Sequence, residues 1–318
     1  MIVQSFLVTG ANGFIGRYIA NSLVSTNVNV RCSVRSSALQ YKDLPSGHEL
    51  CAVGNINKHT CWSAALQNIN TVIHCAALAH VTNQQSEAYL DLYKEVNLFG
   101  TLRLAKQAAA SGVKRFIFVS SIGVNGNESV EPFKETSAPN PTDSYSTSKW
   151  EAEQALINLG LQDSLEIVII RPPLVYGAGA PGNFGRLARY VKRGWPLPLG
   201  SVHNQRSLIA VSNLVDFIVT CSKHPLAANQ TFLISDGKDL STTELVQGMA
   251  HAFGVPARLL PMPQWGLQFG ASLIGKGDMM QRLCGNLQID ISKARMLLGW
   301  VPPMNVEEGL RIAMELGM

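Results

Sequence analysis

Residues 8–16 read VTGANGFIG and place Gly10, Gly13 and Gly16 between an apolar run and a helix-like segment. The first glycine allows a tight turn, the second lets backbone N–H groups approach a pyrophosphate, and the third lets helix and strand pack closely. The start of the helix also offers free N–H donors to phosphate groups. Arg17 stands where a kinase-type P-loop needs Lys followed by Ser or Thr. The turn therefore predicts a dinucleotide site on a Rossmann-type fold.

Outward from this turn, short apolar runs alternate with helix-like segments, which is the pattern of βαβ units and a parallel sheet. The predicted strands are 2–8, 28–34, 49–53, 70–76, 114–120 and 165–171. The predicted helices are 14–26, 60–67, 84–111 and 143–160. After RPPLVYG, residues 171–177, the spacing becomes irregular and proline-rich.

We therefore predict an α/β fold, a Rossmann-type doubly wound parallel sheet with a smaller mixed α/β C-terminal substrate lobe. Residues 1–177 are expected to form the dinucleotide-binding domain. Residues 178–318 are expected to form mainly the substrate lobe, with a segment of about 206–222 returning to the first domain.

Composition narrows the function classes. The 318 residues are 46% hydrophobic and 15% charged, and the net charge of +4 comes without a block of consecutive Lys or Arg. A globular protein with a small anionic ligand fits these values, and nucleic-acid binding does not. Six cysteines without a CxxC pair predict no metal site and a cytoplasmic location. No apolar run reaches the roughly 18 residues of a membrane span.

The end of the second predicted strand bears on the cofactor. An NAD site needs an acid there, to accept hydrogen bonds from the adenosine ribose. In VRCSVRSS, residues 30–37, that position is Val34, and Arg35 follows it. A guanidinium suits a 2′-phosphate, so the sequence favours NADP(H), with NAD(H) as the alternative.

A tyrosine and a lysine carry the expected chemistry. In DSYSTSKWEAEQAL, residues 143–156, Tyr145 and Lys149 lie four residues apart on one face of a helix that Thr142, Asp143 or Ser144 caps. We expect the ammonium to lower the pKa of the phenol, as a general acid/base requires. The strand ending in Ser120 and Ser121 supplies a hydroxyl that can hold a substrate oxygen.

These motifs, together with HCAA (74–77) and EVNLFGT (95–101), appear in the order of the extended short-chain dehydrogenase/reductases. QRSLIAVSNLVD (205–216) and ISKARMLLGWVPP (291–303) extend the resemblance to the nucleotide-sugar epimerase/dehydratase/reductase branch. The finer pattern resembles the bacterial 4-keto reductases that form UDP-N-acetylquinovosamine.

The resemblance implies a set of site residues. Ser121, Tyr145 and Lys149 would be catalytic, and Asn97 would support them. The cofactor would contact Gly10, Asn12, Gly13, Phe14, Ile15, Arg35, Asn55, Ile56, Ala76, Ala77, Asn97, Tyr145, Lys149 and Pro172. Asn55 departs from the family, which often has Asp there. The substrate would contact His80, Ser121, Asn183, Leu199, Arg206 and Arg282.

Several functions of this branch remain open. A 4,6-dehydratase needs an acid pair after the catalytic hydroxyl, and Ile122 and Gly123 follow Ser121 instead. Arg35 favours a reductase that converts the C4 ketone of a UDP-4-keto-6-deoxy-HexNAc by using NADPH. A UDP-hexose or UDP-HexNAc 4-epimerase with retained NAD is the alternative. A non-catalytic NADP sensor is less favoured, since the Ser, Tyr and Lys are all retained.

Oligomeric state follows only from the family pattern. The resemblance implies a homodimer in which the helices predicted at 84–111 and 143–160 form a four-helix bundle with their copies. The same outer faces are also compatible with solvent.

Overall fold

The computed structural model describes residues 4–26, 28–36, 48–79, 87–263, 265–267 and 277–317. A parallel sheet of seven strands forms its centre, in the spatial order β3-β2-β1-β4-β5-β6-β9. The strands are β1 Ser5–Thr9, β2 Asn29–Val34, β3 Glu49–Ala52, β4 Thr71–His74, β5 Arg115–Val119, β6 Glu166–Arg171 and β9 Gln230–Leu233. Strand order reverses between β1 and β4, and in such sheets ligands bind beyond the carboxyl ends at this point.

Helices cover both faces of the sheet. One face packs against α1 Phe14–Val24, α7 Val211–Lys223 and α10 Ser292–Leu298. The other packs against α2 Ser63–Leu66, α4 Thr101–Ala110 and α5 Ser144–Gln162. Alternate strand residues point to opposite sides, so Phe6 and Val8 join the first core while Leu7 joins the second. This confirms the doubly wound α/β prediction.

Much of the C-terminal part of the chain builds a further hydrophobic cluster, called here the lobe cluster. It contains side chains of α6 Gly182–Lys192, α8 Thr242–Ala252, α9 Gly277–Cys284 and α11 Val306–Leu316. Strands β7 Leu174–Tyr176 and β8 Leu208–Ala210 form a separate parallel pair beside it. Ser241 and Glu244 form a capping box at the start of α8, which satisfies the first backbone donors of that helix.

Two elements of the C-terminal part pack on the central sheet. Strand β9, which the sequence did not predict, lies 59 residues beyond the end of β6 and yet pairs with it, with Val168 opposite Gln230. Helix α7 follows β8 and packs against α1, within the segment expected to return to the first domain. The division of the chain at residue 177 stays a prediction.

The helix predicted over 84–111 is not regular from residue 87 onward, and residues 84–86 lie outside the described residues. It consists of α3 Glu87–Tyr93, a π-helix Lys94–Gly100 and then α4. Wider turns of this kind are rare and often occur at functional sites. A short 3-10 helix, Ile122–Val124, follows β5 and leads toward α5.

Candidate active site

The glycine turn joins β1 to α1 at the centre of the sheet. Gly10 has φ of +68°, and a Cβ there would lie 2.8 Å from the backbone nitrogen of Ala76. A Cβ on Gly16 would lie 2.1 Å from the Gly10 oxygen, so helix and turn touch only because both residues are glycine. Gly13 caps α1 without a side-chain hydrogen bond, and Asn12 beside it is exposed. The turn therefore has the open backbone that a pyrophosphate needs.

Other residues expected at the cofactor adjoin this turn. Phe14 and Ile15 open α1 and are partly buried. The Ala76 backbone N–H donates to Thr9 Oγ1 at 3.2 Å, which places residues 76 and 77 against the turn at the end of β4. Pro172 is buried after β6, and its carbonyl accepts from the Ile122 N–H at 3.0 Å.

Arg35 is the first residue after β2, and its side chain is exposed. Val34 before it is buried in the sheet. Because its side chain also has no polar atom, it cannot accept hydrogen bonds from a ribose. Asn55 is exposed three residues after β3, the neighbour of β2, and Ile56 packs beneath Gly100 of the π-helix. The two polar side chains thus follow adjacent strands at the same edge of the sheet.

Ser121 follows β5 and begins the 3-10 helix. Its Oγ accepts from the Gly123 N–H at 3.1 Å, which fixes the hydroxyl at the end of the strand. A Cβ on Gly123 would lie 2.4 Å from Ser146 Oγ and 3.4 Å from Ser121 Oγ. Gly123 thus lets this turn approach the first turn of α5, where Tyr145 lies.

Tyr145 stands in the first turn of α5 and is partly buried. Its ring packs edge-on against the ring of Tyr93, with the centroids 6.2 Å apart. Burial raises the pKa of the Tyr145 phenol, and the Asp143 carboxylate and Tyr93 add to the effect. The net direction is therefore opposite to the expected lowering, because desolvation of the phenolate outweighs any nearby positive charge.

Lys149 lies one turn further along α5 and is only 1% exposed. Its ammonium donates to the Val119 carbonyl at 2.7 Å and lies 4.2 Å from the centre of the Phe118 ring. The lysine thus reaches the end of the strand that carries Ser121. Burial lowers the pKa of Lys149 to about 8, against the opposing effects of Cys75 and Glu153. Lys149 is therefore a buried side chain that still carries a positive charge near neutral pH.

Asn97 holds the site from the π-helix. Its side-chain amide bonds both the N–H and the carbonyl of Leu78, at 2.8 and 3.1 Å, and donates to Ser148 Oγ at 3.0 Å. Ser148 in turn donates to the Tyr145 carbonyl at 2.7 Å. Asn97 therefore ties the segment after β4 to the helix of Tyr145 and Lys149.

A buried ion pair lies one turn beyond Lys149 along α5, and it was not predicted from the sequence. Glu153 is fully buried, and Arg171 at the end of β6 donates to its carboxylate from both Nε and a terminal nitrogen, with a shortest distance of 2.5 Å. Ser120 also donates to Glu153, and Asn125 accepts from Arg171 at 2.9 Å. The signal was present in the sequence, since Glu153 continues the four-residue spacing of Tyr145 and Lys149.

His74 is a structural histidine near the lysine. It is fully buried, and its two ring nitrogens pair with the hydroxyls of Thr9 and Thr101 at 2.6 and 2.9 Å. Burial lowers the pKa of His74 to about 3, and the nearby Lys149 ammonium adds to this. The ring is therefore neutral at physiological pH.

The two arginines expected at a diphosphate lie beside this site. Arg206 is partly buried, and its guanidinium donates to the Gly285 carbonyl at 2.9 Å. Burial lowers the pKa of Arg206 to about 10, and the positive charge of Arg282 acts in the same direction. Arg282 forms an ion pair of 3.2 Å with Asp143, the residue that caps α5. The arginines thus border the first turn of α5.

Three more residues are expected at the substrate, namely Asn183, Leu199 and His80. Asn183 is exposed at the start of α6, where its oxygen accepts from Arg186. Leu199 is 5% exposed and packs in the lobe cluster, while its carbonyl accepts from Thr243 at 2.6 Å. Its side chain is therefore committed to the core rather than to a pocket. His80 lies outside the described residues.

Neither a metal cluster nor a membrane-spanning helix occurs among the described residues. No group of three or more His, Cys, Asp or Glu side chains there is arranged to hold a metal ion. In the same part of the chain, no helix combines the length and apolar character needed to cross a bilayer.

A Rossmann-type sheet with a glycine turn, Ser121 after β5, and Tyr145 and Lys149 on α5 defines an extended short-chain dehydrogenase/reductase. Residues 6–235 match the model of the NAD dependent epimerase/dehydratase family, and the chain belongs to that family. The chain is 46% identical over 312 residues to a UDP-glucose 4-epimerase of Vibrio cholerae, covering 97% of this chain and 94% of that one.

Solved structures show the same fold. A UDP-glucuronic acid 4-epimerase of Bacillus cereus in complex with NAD superposes with a TM-score of 0.80 at 22% identity, covering 98% of this chain and 96% of that one. A UDP-glucose 4-epimerase of Thermus thermophilus in complex with NAD gives a TM-score of 0.79 at 24% identity, covering 98% of each chain.

Proposed function

We propose that this protein is a UDP-hexose 4-epimerase that keeps its nicotinamide cofactor bound through the reaction. The 46% identity to the Vibrio cholerae UDP-glucose 4-epimerase, over nearly the whole of both chains, supports this choice most directly. The reductase chemistry favoured by the sequence pattern becomes the second candidate.

The glycine turn is proposed to hold the cofactor's pyrophosphate, with Ala76, Ala77, Asn97 and Pro172 nearby. Gly10, Gly13 and Gly16 leave room for it, and the start of α1 offers backbone donors. A nicotinamide dinucleotide held there supplies the hydride acceptor and, when oxidised, a positive charge that favours the phenolate of Tyr145.

Tyr145 is proposed to move the proton at the C4 oxygen of the hexose. It takes the hydroxyl proton when C4 is oxidised to a ketone, and returns it when hydride arrives on the other face. Since burial raises the pKa of its phenol, the phenolate that takes this first proton needs a positive charge nearby, which the oxidised nicotinamide and Lys149 would supply. Ser121 is proposed to orient the same oxygen from the end of β5, where Gly123 fixes its hydroxyl.

Lys149 is proposed to keep the phenolate accessible by supplying a buried positive charge. Val119 and the Phe118 ring hold its ammonium at the end of β5. Its lowered pKa of about 8 leaves most of the lysine charged at pH 7. Asn97 supports the arrangement from the π-helix, through Ser148.

The substrate diphosphate is proposed to lie between Arg206 and Arg282. The positive charge of Arg282 disfavours the cationic form of Arg206, so an anion placed between the two guanidinium groups would be favourable. Asn183 is proposed to contribute farther along the nucleotide, within the lobe formed mainly by residues 178–318. The Leu199 side chain lies in the core, so no contact is proposed for it, and His80 stays a predicted substrate contact. A hexose attached to that diphosphate would reach Tyr145, because Arg282 already pairs with Asp143 two residues before it.

The reductase remains a second candidate because of Arg35. An exposed guanidinium directly after β2, where an acid would hold the ribose of NAD, favours NADP. A reductase of a UDP-4-keto-6-deoxy-HexNAc would consume NADPH at each turnover, whereas an epimerase would show no net consumption.

One assay separates the two candidates. Purified protein is given UDP-glucose, or in parallel a 4-keto nucleotide sugar with NADPH or NADH, and both product and absorbance are followed. The proposal expects UDP-galactose without net oxidation of either cofactor. NADPH consumption with the ketone and no conversion of UDP-glucose would replace epimerase by reductase.

The Tyr145→Phe variant serves as control in this assay. General acid/base catalysis is worth about 10²–10⁴-fold, so kcat should fall by that factor while cofactor binding persists. Ser121→Ala should lose less, since Ser120 or water can replace the hydroxyl. Turnover of Tyr145→Phe within a few-fold of the parent would remove Tyr145 from its proposed role.

A further inference from the structure

An exposed aromatic and apolar face lies on the lobe outside the candidate active site. Tyr190 lies in the last turn of α6 and Trp195 lies three residues beyond that helix, and their rings stack nearly parallel, with centroids 5.1 Å apart. Trp195 is 50% exposed. A stacked aromatic pair at the surface costs hydrophobic free energy unless another apolar phase covers it.

A second segment extends this face. Residues 197 and 259 form a parallel bridge, held by bonds of 2.9 Å from the Leu197 N–H to the Arg258 carbonyl and 2.8 Å from the Leu260 N–H to the Leu197 carbonyl. Leu197 and Leu259 turn toward the core of the lobe. Leu260, the next residue, therefore turns outward and is 52% exposed.

Two more exposed apolar residues follow Leu260 along the chain. Met262 is 38% and Trp265 is 73% exposed, while Leu267 shortly after is buried in the lobe. The buried Leu267 anchors this segment, so Trp265 is held at the surface. We define the apolar face as the outward side chains Tyr190, Trp195, Leu260, Met262 and Trp265.

Cations surround the apolar face. Lys192, Arg193 and Arg258 are all exposed, and the Arg193 guanidinium lies 5.8 Å from the centre of the Trp195 ring. The stretches that carry the face hold no acid, since Asp and Glu are missing from residues 167–215 and from residues 245–277. Along these stretches the charge is thus one-sided, although the net charge of the whole chain is only +4.

We propose that this face docks the protein on an anionic lipid bilayer. Tryptophan and tyrosine rings with flanking Lys and Arg are the side chains that favour the headgroup boundary of such a membrane. A second copy of the chain fits less well, because a symmetric contact would bring two positive faces together. The protein would contact only the surface of the bilayer. Because the apolar face lies outside the candidate active site, that site would stay in water.

Vesicle sedimentation tests this proposal directly. The full chain is mixed with vesicles of phosphatidylcholine containing phosphatidylglycerol, and with vesicles of phosphatidylcholine alone. We expect binding to the anionic vesicles that weakens with salt. Because each cation near such a surface contributes about 1 kcal/mol, every Gln substitution at Lys192, Arg193 or Arg258 should weaken binding by about fivefold.

Apolar variants complete the test. Trp195→Ala with Trp265→Ala should abolish vesicle binding while UDP-sugar turnover in solution stays unchanged. Met296→Ser is the matched control, since Met296 is 81% exposed on α10, away from the defined face. Absence of binding to anionic vesicles, or equal binding of the double Trp variant, overturns the proposal. If the parent protein does not bind vesicles, and light scattering shows a lower particle mass for the double Trp variant than for the parent, the face is assigned to self-association instead.

Discussion

Arg282 and Asp143 form an ion pair of 3.2 Å that joins the proposed diphosphate site to the helix of Tyr145. Asp143 has a second function in the same place, since its other carboxylate oxygen accepts from the Ser146 N–H at 2.7 Å and caps α5. Its negative charge also raises the pKa of the Tyr145 phenol. A single carboxylate therefore pairs with an arginine of the proposed diphosphate site, caps the helix and acts on the phenol proposed to transfer the proton.

The first prediction separates these effects with Asp143→Asn. Asparagine keeps the helix cap, but it removes the charge that competes for Arg282 and disfavours the phenolate. We expect KM for the nucleotide sugar to fall and the ionisation in the kcat–pH profile to move to lower pH. Asp143→Ala is the control, because it also loses the cap and about 1 kcal/mol of stability. An unchanged KM and pH profile in Asp143→Asn would show that the charge plays no part.

The second prediction concerns the effect of Lys149 on stability. Its pKa is about 8 in the folded chain, against an ordinary value of 10.5. Between these values the unfolded chain holds a proton that the folded chain lacks, so stability rises with pH by about 1.4 kcal/mol per unit. Lys149→Met should lack this rise, and urea unfolding from pH 7.5 to 10.5 measures it. Lys58→Met, at an exposed lysine, is the control. Parallel pH curves for wild type and Lys149→Met would contradict the lowered pKa.

The third prediction uses the hydroxyl of Tyr93. The residue is fully buried, and within the described part of the chain its hydroxyl has no hydrogen-bond partner. A buried donor without a partner costs about 1–3 kcal/mol, so Tyr93→Phe should raise the free energy of unfolding by about 1 kcal/mol. Tyr176→Phe is the matched control and should destabilise, because Tyr176 donates to Asp236 at 2.7 Å. Destabilisation by Tyr93→Phe would mean that its hydroxyl finds a partner in solution.

The fourth prediction tests Arg35 as the determinant of the cofactor. If its exposed guanidinium holds a 2′-phosphate, Arg35→Asp should weaken NADPH binding by about 1.5–3 kcal/mol and affect NADH much less. Titration of tryptophan fluorescence with both cofactors measures the difference, and Arg35→Gln should give a smaller loss. The same loss for both cofactors would remove Arg35 from the site.

The sequence predicted the nucleotide-binding core well because that core is local. Alternating apolar runs and glycine spacing define β1, α1 and their neighbours within a few residues of where they lie. The position of β9 was missed, since the choice of β6 as its partner depends on packing between residues more than 60 positions apart. The pairing of Arg171 with Glu153, 18 positions apart, and of Arg282 with Asp143, 139 positions apart, also depends on tertiary packing.

The site residues divide in the same way. Tyr145 and Lys149 are visible as a helical spacing, and Ser121 as the end of a strand. The direction of the Tyr145 pKa was predicted wrongly, because a motif gives the nearby charge but not the depth of burial that outweighs it. The π-helix that positions Asn97 is also absent from the pattern, since its residues form an ordinary helical run in the sequence.

The central proposal is that hydride leaves C4 of a UDP-hexose and returns to the same carbon. UDP-glucose labelled with deuterium at C4, incubated with the purified protein in unlabelled water, tests it most directly. The account predicts UDP-galactose that retains the deuterium at C4, and no such product from Tyr145→Phe at matched times. UDP-galactose with hydrogen at C4, or no UDP-galactose at all, would contradict it.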